Sequence, residues 1–183
     1  RNLAGKGLFY CLPSDGALYH NKKVVVVGGG EGAIEDAILL ARHASEVVVI
    51  FKEERLQISP LLEEKAKAGR NLRFVAGGIV TAIEGDNQVT AVRYLDMAGR
   101  QEKIEKAEGV LVNIGKVPNT AFLGKSVPLN RDGYVLTNAW MATEVPGIYA
   151  IGDVRQKAFR QITTAVGDGA EGALAAERYI ANL

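Results

Sequence analysis

The sequence has very little cysteine and no long apolar segment. Cys11 is the only cysteine among 183 residues, so no internal disulfide can form, which argues against a secreted, disulfide-stabilised protein. The longest apolar run, KVVVVGGG at 23–30, is far shorter than the ~20 residues that span a bilayer. The N-terminal RNLAGKGLFY lacks the apolar core of a signal peptide. We therefore expect a cytoplasmic protein that makes no contact with membranes.

The sequence also lacks an excess of positive or negative charge. The net charge is +1, which gives no reason to expect nucleic acid as a partner. With 48% hydrophobic and 23% charged residues, the composition is that of an ordinary globular domain. We predict no metal site. The length is sufficient for one domain, or for one domain and part of another.

The first half of the sequence alternates strands and helices. KKVVVV at 22–27 and EVVVIF at 46–51 have no polar face, as in strands buried on both sides of a parallel sheet. The helical pattern GGGEGAIEDAILLARHA separates them, which makes a βαβ unit. An antiparallel three-stranded meander is predicted over 81–107, followed by a returning strand at 109–115. We predict an α/β fold: a Rossmann-like domain over 1–115 with the meander as its crossover.

The second half, 116–183, has a different sequence pattern, with fewer regular elements. A proline-rich connection leads to a hairpin around NRDG, a short buried strand in PGIYAIGD and a long C-terminal helix. Ile162, Val166, Ala170, Leu174 and Ile180 share one stripe of that helix. These few elements bury too little apolar surface to form a stable core by themselves. We therefore expect this half to pack against another polypeptide segment.

A glycine turn joins the first strand to the first helix. Gly28-x-Gly30-x-x-Ala33 has the residues that a dinucleotide site requires there. Gly28 permits a tight turn, Gly30 lets a pyrophosphate approach the backbone, and Ala33 keeps the helix near the strand. The helix start, with Glu31 and Gly32, presents free N–H groups to the phosphates. The alternative is a tight turn without a ligand.

The end of the second strand bears on which dinucleotide binds. A carboxylate there holds the ribose 2′-hydroxyl of NAD, whereas arginine holds the 2′-phosphate of NADP. The strand ends at Phe51, without the usual carboxylate. Lys52 and Arg55 are candidates to meet a phosphate, while Glu53 and Glu54 would repel it. A solvated charged loop is equally compatible, so the residues leave NADH and NADPH both open.

Five segments together carry a family resemblance. YC-x-x-x-DG, VVVVGGGEGAIEDA, VNIGKVPNT, TEVPGIYAIGDV and RQITTAVGDGAEGA occur in the order and spacing of the low-molecular-weight thioredoxin reductases, within the pyridine nucleotide–disulfide oxidoreductase superfamily. The resemblance covers nearly the whole chain. It implies an NAD(P)-binding domain at 1–115 and the C-terminal segment of a split FAD-binding domain at 116–183. The N-terminal FAD half is absent from the sequence.

The resemblance also implies roles for particular residues. Gly152 and Asp153 are expected at the ribityl or pyrophosphate part of FAD, although a turn with a helix cap is the simpler interpretation. The flavin ring is expected to lie against Arg160, Gln161 and Ile162. Ile114 and Gly115 are expected beside the pyridine nucleotide, near the hinge.

Two departures from the family pattern stand out. The family has C-x-x-C-D-G, but Ser14 occupies the position of the second, flavin-proximal cysteine, which leaves Cys11 as a thiol and Asp15 as the general acid. A hydroxyl forms no disulfide. The family's loop H-R-R-x-x-x-R also loses most of its positive charge here, with Phe51, Lys52, Glu53 and Gln57 at the corresponding positions. We therefore expect weak or NADH-leaning nucleotide binding.

The resemblance implies a homodimeric flavoprotein that transfers reducing equivalents between NADPH or NADH and FAD. Thioredoxin or another redox protein is the implied partner. One alternative is a flavoprotein like the ferredoxin–NADP reductases, which lack dithiol exchange. Another alternative is that Ser14 replaces a cysteine as a substitution introduced to trap an intermediate. A nucleotide-binding or interaction module without turnover is the further alternative.

Overall fold

The structure, a computed structural model, describes residues 3–12 and 16–183. The chain divides into two units, Arg1–Gly115 and Lys116–Leu183. The described residues of unit 1 include eight strands: β1 (Leu8–Phe9), β2 (Lys23–Val27), β3 (Glu46–Ile50), β4 (Leu72–Val75), β5 (Gly78–Glu84), β6 (Ala91–Asp96), β7 (Gln101–Lys106) and β8 (Gly109–Val112). They also include α1 (Glu31–Leu40), α2 (Pro60–Lys67) and a 3₁₀ turn, Gly16–Tyr19.

Unit 1 is built on a five-stranded sheet in the order β1-β8-β2-β3-β4, in which all neighbours are parallel. A second sheet, β5-β6-β7, is antiparallel. It forms the chain between β4 and β8, so the meander is the crossover that brings β8 back beside β2. The predicted α/β, Rossmann-like fold with a meander crossover is confirmed.

The valine runs of β2 and β3 are buried on both faces, which explains why they lack a polar face. Successive side chains of a strand point to opposite faces. One set packs with α1: Val24, Val26, Val47 and Val49 against Ile34 and Leu40. The other packs with the meander: Val25, Val48 and Ile50 against Val92 and Tyr94. Both layers of the core therefore depend on the same two strands.

Unit 2 is mostly irregular. It contains α3 (Ile162–Ala181) and two 3₁₀ turns, Ala121–Leu123 and Gly152–Val154. The predicted hairpin around NRDG is present as a bridge between Leu129 and Val135.

The predicted buried strand in PGIYAIGD is wrong. Tyr149 makes only an isolated bridge with Ala142, and Ile148 and Ile151 are exposed. A strand needs a neighbour for its ladder, and the described part of unit 2 contains no strand that could pair with this segment. The apolar stripe of α3 is exposed as well: Ile162, Val166, Leu174 and Ile180.

An ion-pair cluster joins the meander to the parallel sheet. Glu105 of β7 contacts Arg73 of β4 at 2.6 Å and Lys23 of β2 at 2.8 Å. Glu46 of β3 contacts the same two cations. Burial raises the pKa of Glu105, but hydrogen bonds from Arg73 and Lys23 outweigh burial and hold that pKa below its ordinary value. Because the folded-state pKa is lowered, the cluster stabilises the fold fully above the ordinary glutamate pKa, and its contribution is lost as the pH falls through the lowered pKa.

We predict that Glu105→Gln lowers the free energy of unfolding by about 1 kcal/mol at neutral pH. The difference from the unsubstituted protein should shrink below pH 4.5 and vanish once Glu105 is protonated. Urea unfolding followed by circular dichroism between neutral pH and about pH 3 measures both effects. Glu102→Gln on the same strand is the control, because its partner Arg93 retains Glu84. A difference that persists unchanged at low pH would contradict the role of the cluster.

A candidate nucleotide site at the carboxyl ends of the strands

A cavity of about 580 Å³ lies where β2, β3 and β8 end and α1 begins. Its volume is within the usual range for small-molecule sites. In a parallel sheet this edge is where ligands bind. The lining residues are Val27, Gly28, Gly29, Gly30, Gly32, Ala33, Ile50, Phe51, Lys52, Glu53, Gln57, Gly78, Ile79, Val80, Asn113, Ile114 and Gly115.

Gly28 and Gly30 serve different purposes. Gly28 has φ of +134°, and a Cβ there would lie 2.1 Å from the carbonyl oxygen of Asn113. Only glycine fits between the two chain segments. Gly30 has φ of −84°, which any residue adopts, and a Cβ there would meet nothing within 4 Å. The backbone at Gly30 is therefore open to a ligand in the cavity.

The loop after β3 is attached to the glycine turn. The backbone N–H of Gln57 donates to the carbonyl oxygen of Gly29 at 3.4 Å. The N–H of Ser59 donates to Oε1 of Glu31 at 3.2 Å. Glu31 does not line the cavity; its carboxylate anchors the loop that does. This contact occupies the carboxylate of Glu31 and leaves the predicted role of its backbone N–H at the helix start as a prediction.

The predicted cofactor residues of unit 1 are mostly brought together. Gly28, Gly30, Gly32, Ala33, Lys52, Ile114 and Gly115 line the cavity. Arg55 does not; it is exposed on the loop, outside the set of lining residues. The side chain of Ile114 is 74% exposed, so it presents an apolar surface at the rim.

Asn113 was not predicted. Its N–H donates to the carbonyl oxygen of Val27 at 2.9 Å, and its side-chain amide donates to Oδ2 of Asp36 in α1 at 3.0 Å. Asn113 thus joins β8, β2 and α1 behind the glycine turn. The sequence did place Asn113 directly after a buried strand. Residues at such positions lie at the carboxyl edge of a parallel sheet, where ligands bind. The strand itself ends at Val112, earlier than predicted.

In unit 2, a buried carboxylate holds the Gly152–Val154 turn. Oδ2 of Asp168 in α3 accepts the backbone N–H of Gly152 at 3.0 Å. Arg155 and Lys157 contact the same carboxylate at 3.3 Å and 2.7 Å. Burial raises the pKa of Asp168, but these contacts outweigh it and lower the pKa below its ordinary value. The predicted residues Gly152 and Asp153 are therefore on a turn with a fixed position.

The other predicted residues of unit 2 lie nearby in the structure. The guanidinium of Arg160 stacks over the ring of Tyr134, 3.7 Å from its centroid, and its Nε donates to the carbonyl oxygen of Asp153 at 3.3 Å. Gln161 is the N-cap of α3. The first helical residue, Ile162, is 85% exposed. Asp153, Arg160, Gln161 and Ile162 thus form one continuous surface at the start of α3.

Cys11 is a free, exposed thiol and does not line the cavity. Ser14 and Asp15, the other two residues predicted for thiol chemistry, lie outside the described residues. Over 3–12 and 16–183, no group of three or more metal-ligating side chains is placed to hold a metal ion. Over the same residues, no helix is long and apolar enough to cross a membrane.

Comparison with known proteins agrees with this architecture. The family described as "Pyridine nucleotide-disulphide oxidoreductase" matches residues 4–169. The chain belongs to this family. It is 37% identical over 183 residues to a thioredoxin reductase of Listeria innocua, covering 99% of this chain and 57% of the relative. The "34.2 kDa protein in rubredoxin operon" of Clostridium pasteurianum is 38% identical over 178 residues, covering 97% of this chain and 58% of the relative.

Among solved structures, a thioredoxin reductase from Streptococcus pyogenes superimposes with a TM-score of 0.87 at 35% identity, covering 97% of this chain and 58% of that one. The resemblance to the thioredoxin reductases is confirmed. The chain spans about 57% of the length of the curated relatives that it matches.

The two glycines of this family's turn can be separated experimentally. We expect Gly28→Ala to lower the free energy of unfolding by about 3 kcal/mol, because the new methyl group meets a backbone carbonyl at a strained φ. Gly30→Ala should change it by less than about 1 kcal/mol, because its backbone is ordinary and its surroundings are open. Parallel urea titrations of the two variants make the comparison. An equal loss of unfolding free energy in both variants would show that Gly30 is also needed for folding.

Proposed function

We propose that residues 1–115 bind a pyridine nucleotide and that 116–183 form the C-terminal segment of an FAD-binding domain, in an NAD(P)H-dependent oxidoreductase similar to the thioredoxin reductases. The observation that carries this is the cavity at the carboxyl ends of β2, β3 and β8, with the open backbone of Gly30 at its wall. A glycine turn in a family defined by pyridine nucleotides supports binding of that class of ligand.

The described residues suit a dinucleotide. A pyrophosphate fits at Gly30 and Gly32, where the first turn of α1 presents N–H groups without intrahelical partners. Ile114 and Gly115 provide an apolar wall for the nicotinamide end. When bound, the nicotinamide supplies a hydride. The residues that line the cavity would bind and orient it.

Unit 2 suits one side of a flavin. Asp168 holds the Gly152 turn so that Asp153 faces outward, and Arg160 is oriented by Tyr134. The exposed side chain of Ile162 offers an apolar contact for a flat ring. A bound FAD would supply the chemistry of hydride acceptance and onward electron transfer. These residues supply only one face of a site, so we propose that flavin binding requires residues beyond those of unit 2.

We propose a cytoplasmic homodimer that passes electrons to thioredoxin or another redox protein. The single cysteine supports a reducing compartment. The resemblance to thioredoxin reductases supports the dimer and the redox partner.

Nucleotide binding is the first test. We predict that the chain binds NADH, NADPH or both with a dissociation constant below about 1 mM, a modest affinity of about 4 kcal/mol. Gly30→Ala should weaken binding at least tenfold, because the methyl group enters the cavity. Gly99→Ala, in the β6–β7 turn, is the matched control and should bind normally, since Gly99 lies outside the cavity lining. Quenching of nucleotide fluorescence measures all three. No binding of either nucleotide, or equal binding by the Gly30 variant, would contradict the proposal.

A flavoprotein without dithiol exchange is a second candidate, and Ser14 favours it. To reduce a disulfide, a thiolate attacks one sulfur and forms a mixed disulfide, releasing one thiol; a second thiolate then displaces the other. Cys11 is exposed and suited to the first step. The hydroxyl of Ser14 cannot perform the second.

We predict that the complete flavoprotein carrying this C-x-x-S segment reduces thioredoxin far more slowly than its Ser14→Cys variant, which restores C-x-x-C. Steady-state reduction of thioredoxin disulfide, with NADH and NADPH supplied separately, measures the difference. Equal rates would show that a second thiol is unnecessary. Bleaching of the flavin by a nucleotide under anaerobic conditions is the accompanying control. Absence of bleaching would favour a binding module without turnover.

A further inference from the structure

We infer that Glu53 makes the cavity selective for NADH over NADPH, as the acceptor for the ribose 2′-hydroxyl of the adenosine half. This inference rests on the proposed nucleotide binding. Sequence reasoning found no carboxylate at the end of β3, because the strand is followed by Phe51. The structure places Glu53, just beyond, in the cavity wall.

The position of Glu53 matches what a dinucleotide site requires. In Rossmann-like domains the carboxylate that binds the ribose 2′-hydroxyl follows the glycine turn by about 20 residues, near the end of the second strand. Glu53 comes shortly after β3, the strand beside β2, and lines the same cavity as Gly30. Phe51 cannot take this role, since it is an apolar side chain only 4% exposed.

The backbone of Glu53 is held in place. Its carbonyl oxygen accepts the N–H of Gly77 at 3.0 Å, and the carbonyl oxygen of Phe51 accepts the N–H of Gly78 at 2.9 Å. The segment is thereby attached to the turn between β4 and β5. The side chain of Glu53 is 31% exposed, against 75% for Lys52. The carboxylate is therefore the less solvent-exposed of the two charges beside the cavity.

The charges disfavour a 2′-phosphate. Lys52 and Glu53 are the only Asp, Glu, Lys, Arg or His residues in the described lining, and they lie 3.8 Å apart. Their charges cancel, so the lining offers no net positive charge. A 2′-phosphate is bound best by arginine, whose planar guanidinium makes two parallel hydrogen bonds. Arg55 is outside the lining, and Gln57 is neutral.

The test is a titration of the chain with NADH and NADPH at low ionic strength, where charge repulsion is least screened. We expect NADH to bind at least tenfold more tightly, a difference of about 1.4 kcal/mol. Glu53→Gln should weaken NADH binding and reduce the NADH preference several-fold. Glu53→Arg should reverse the preference. Glu54→Gln, at an adjacent exposed position outside the lining, is the matched control and should keep the original ratio.

The outcomes separate this inference from the function on which it rests. NADPH binding equal to or tighter than NADH binding overturns the inference while supporting a nucleotide site. The inference is also overturned if Glu53→Gln leaves the ratio of NADH to NADPH affinity unchanged. It is likewise overturned if Glu54→Gln changes that ratio as much as Glu53→Gln does. If neither nucleotide binds, the proposed function fails and the inference fails with it. Circular dichroism of each variant shows whether it is folded, and Glu53→Gln, the least disruptive change, decides the case if Glu53→Arg unfolds.

Discussion

The close approach of Gly28 to the carbonyl oxygen of Asn113 is the constraint on which the candidate site depends. It brings the ends of β2 and β8 so near each other that no side chain fits between them. α1 can then begin directly above the sheet edge, and Asn113 ties that helix to the sheet through Asp36. Because this contact closes the turn from behind, Gly30 is left facing open space. The space that a ligand would fill is thus a consequence of packing on the other side of the turn.

The parts of the fold that were predictable are those set by local pattern. Unbroken valine runs at β2 and β3 indicate strands buried on both faces, and alternating residues around turns indicate the meander. The prediction of a buried strand in PGIYAIGD is wrong because it relied on local pattern alone. An apolar segment is necessary for a buried strand, but the strand also needs a neighbouring strand with which to pair. The described part of unit 2 offers Tyr149 only an isolated bridge with Ala142. Local sequence carries no information about that neighbour.

The candidate site was predictable in its glycines and less so in its carboxylates. Glu31 is exposed and Glu53 is partly exposed, and both lie near the glycine turn. Sequence alone does not show what either carboxylate contacts. Tertiary contacts distinguish them. The carboxylate of Glu31 accepts the N–H of Ser59 and holds the loop. The backbone of Glu53 is held by Gly77, and within the described residues its carboxylate pairs with the adjacent Lys52 at 3.8 Å. Spacing along the chain could not reveal which acid was engaged, because both contacts depend on segments distant in sequence.

Of the positions that differ from the thioredoxin reductase pattern, Lys52, Glu53 and Gln57 lie outside the buried core, whereas Phe51 is part of it. Gly28, Asn113 and Asp168 act through backbone clearance or buried hydrogen bonds, so replacing any of them leaves a clash or an unsatisfied polar group. Lys52 and Glu53 present side chains to the cavity, and no hydrogen bond within the described residues requires their charge for folding. Substitution at these positions can therefore change the charge of the cavity wall while the glycine turn at Gly28 and Gly30 stays intact. At Ser14, the exchange of a thiol for a hydroxyl likewise removes a chemical step, the resolution of a mixed disulfide.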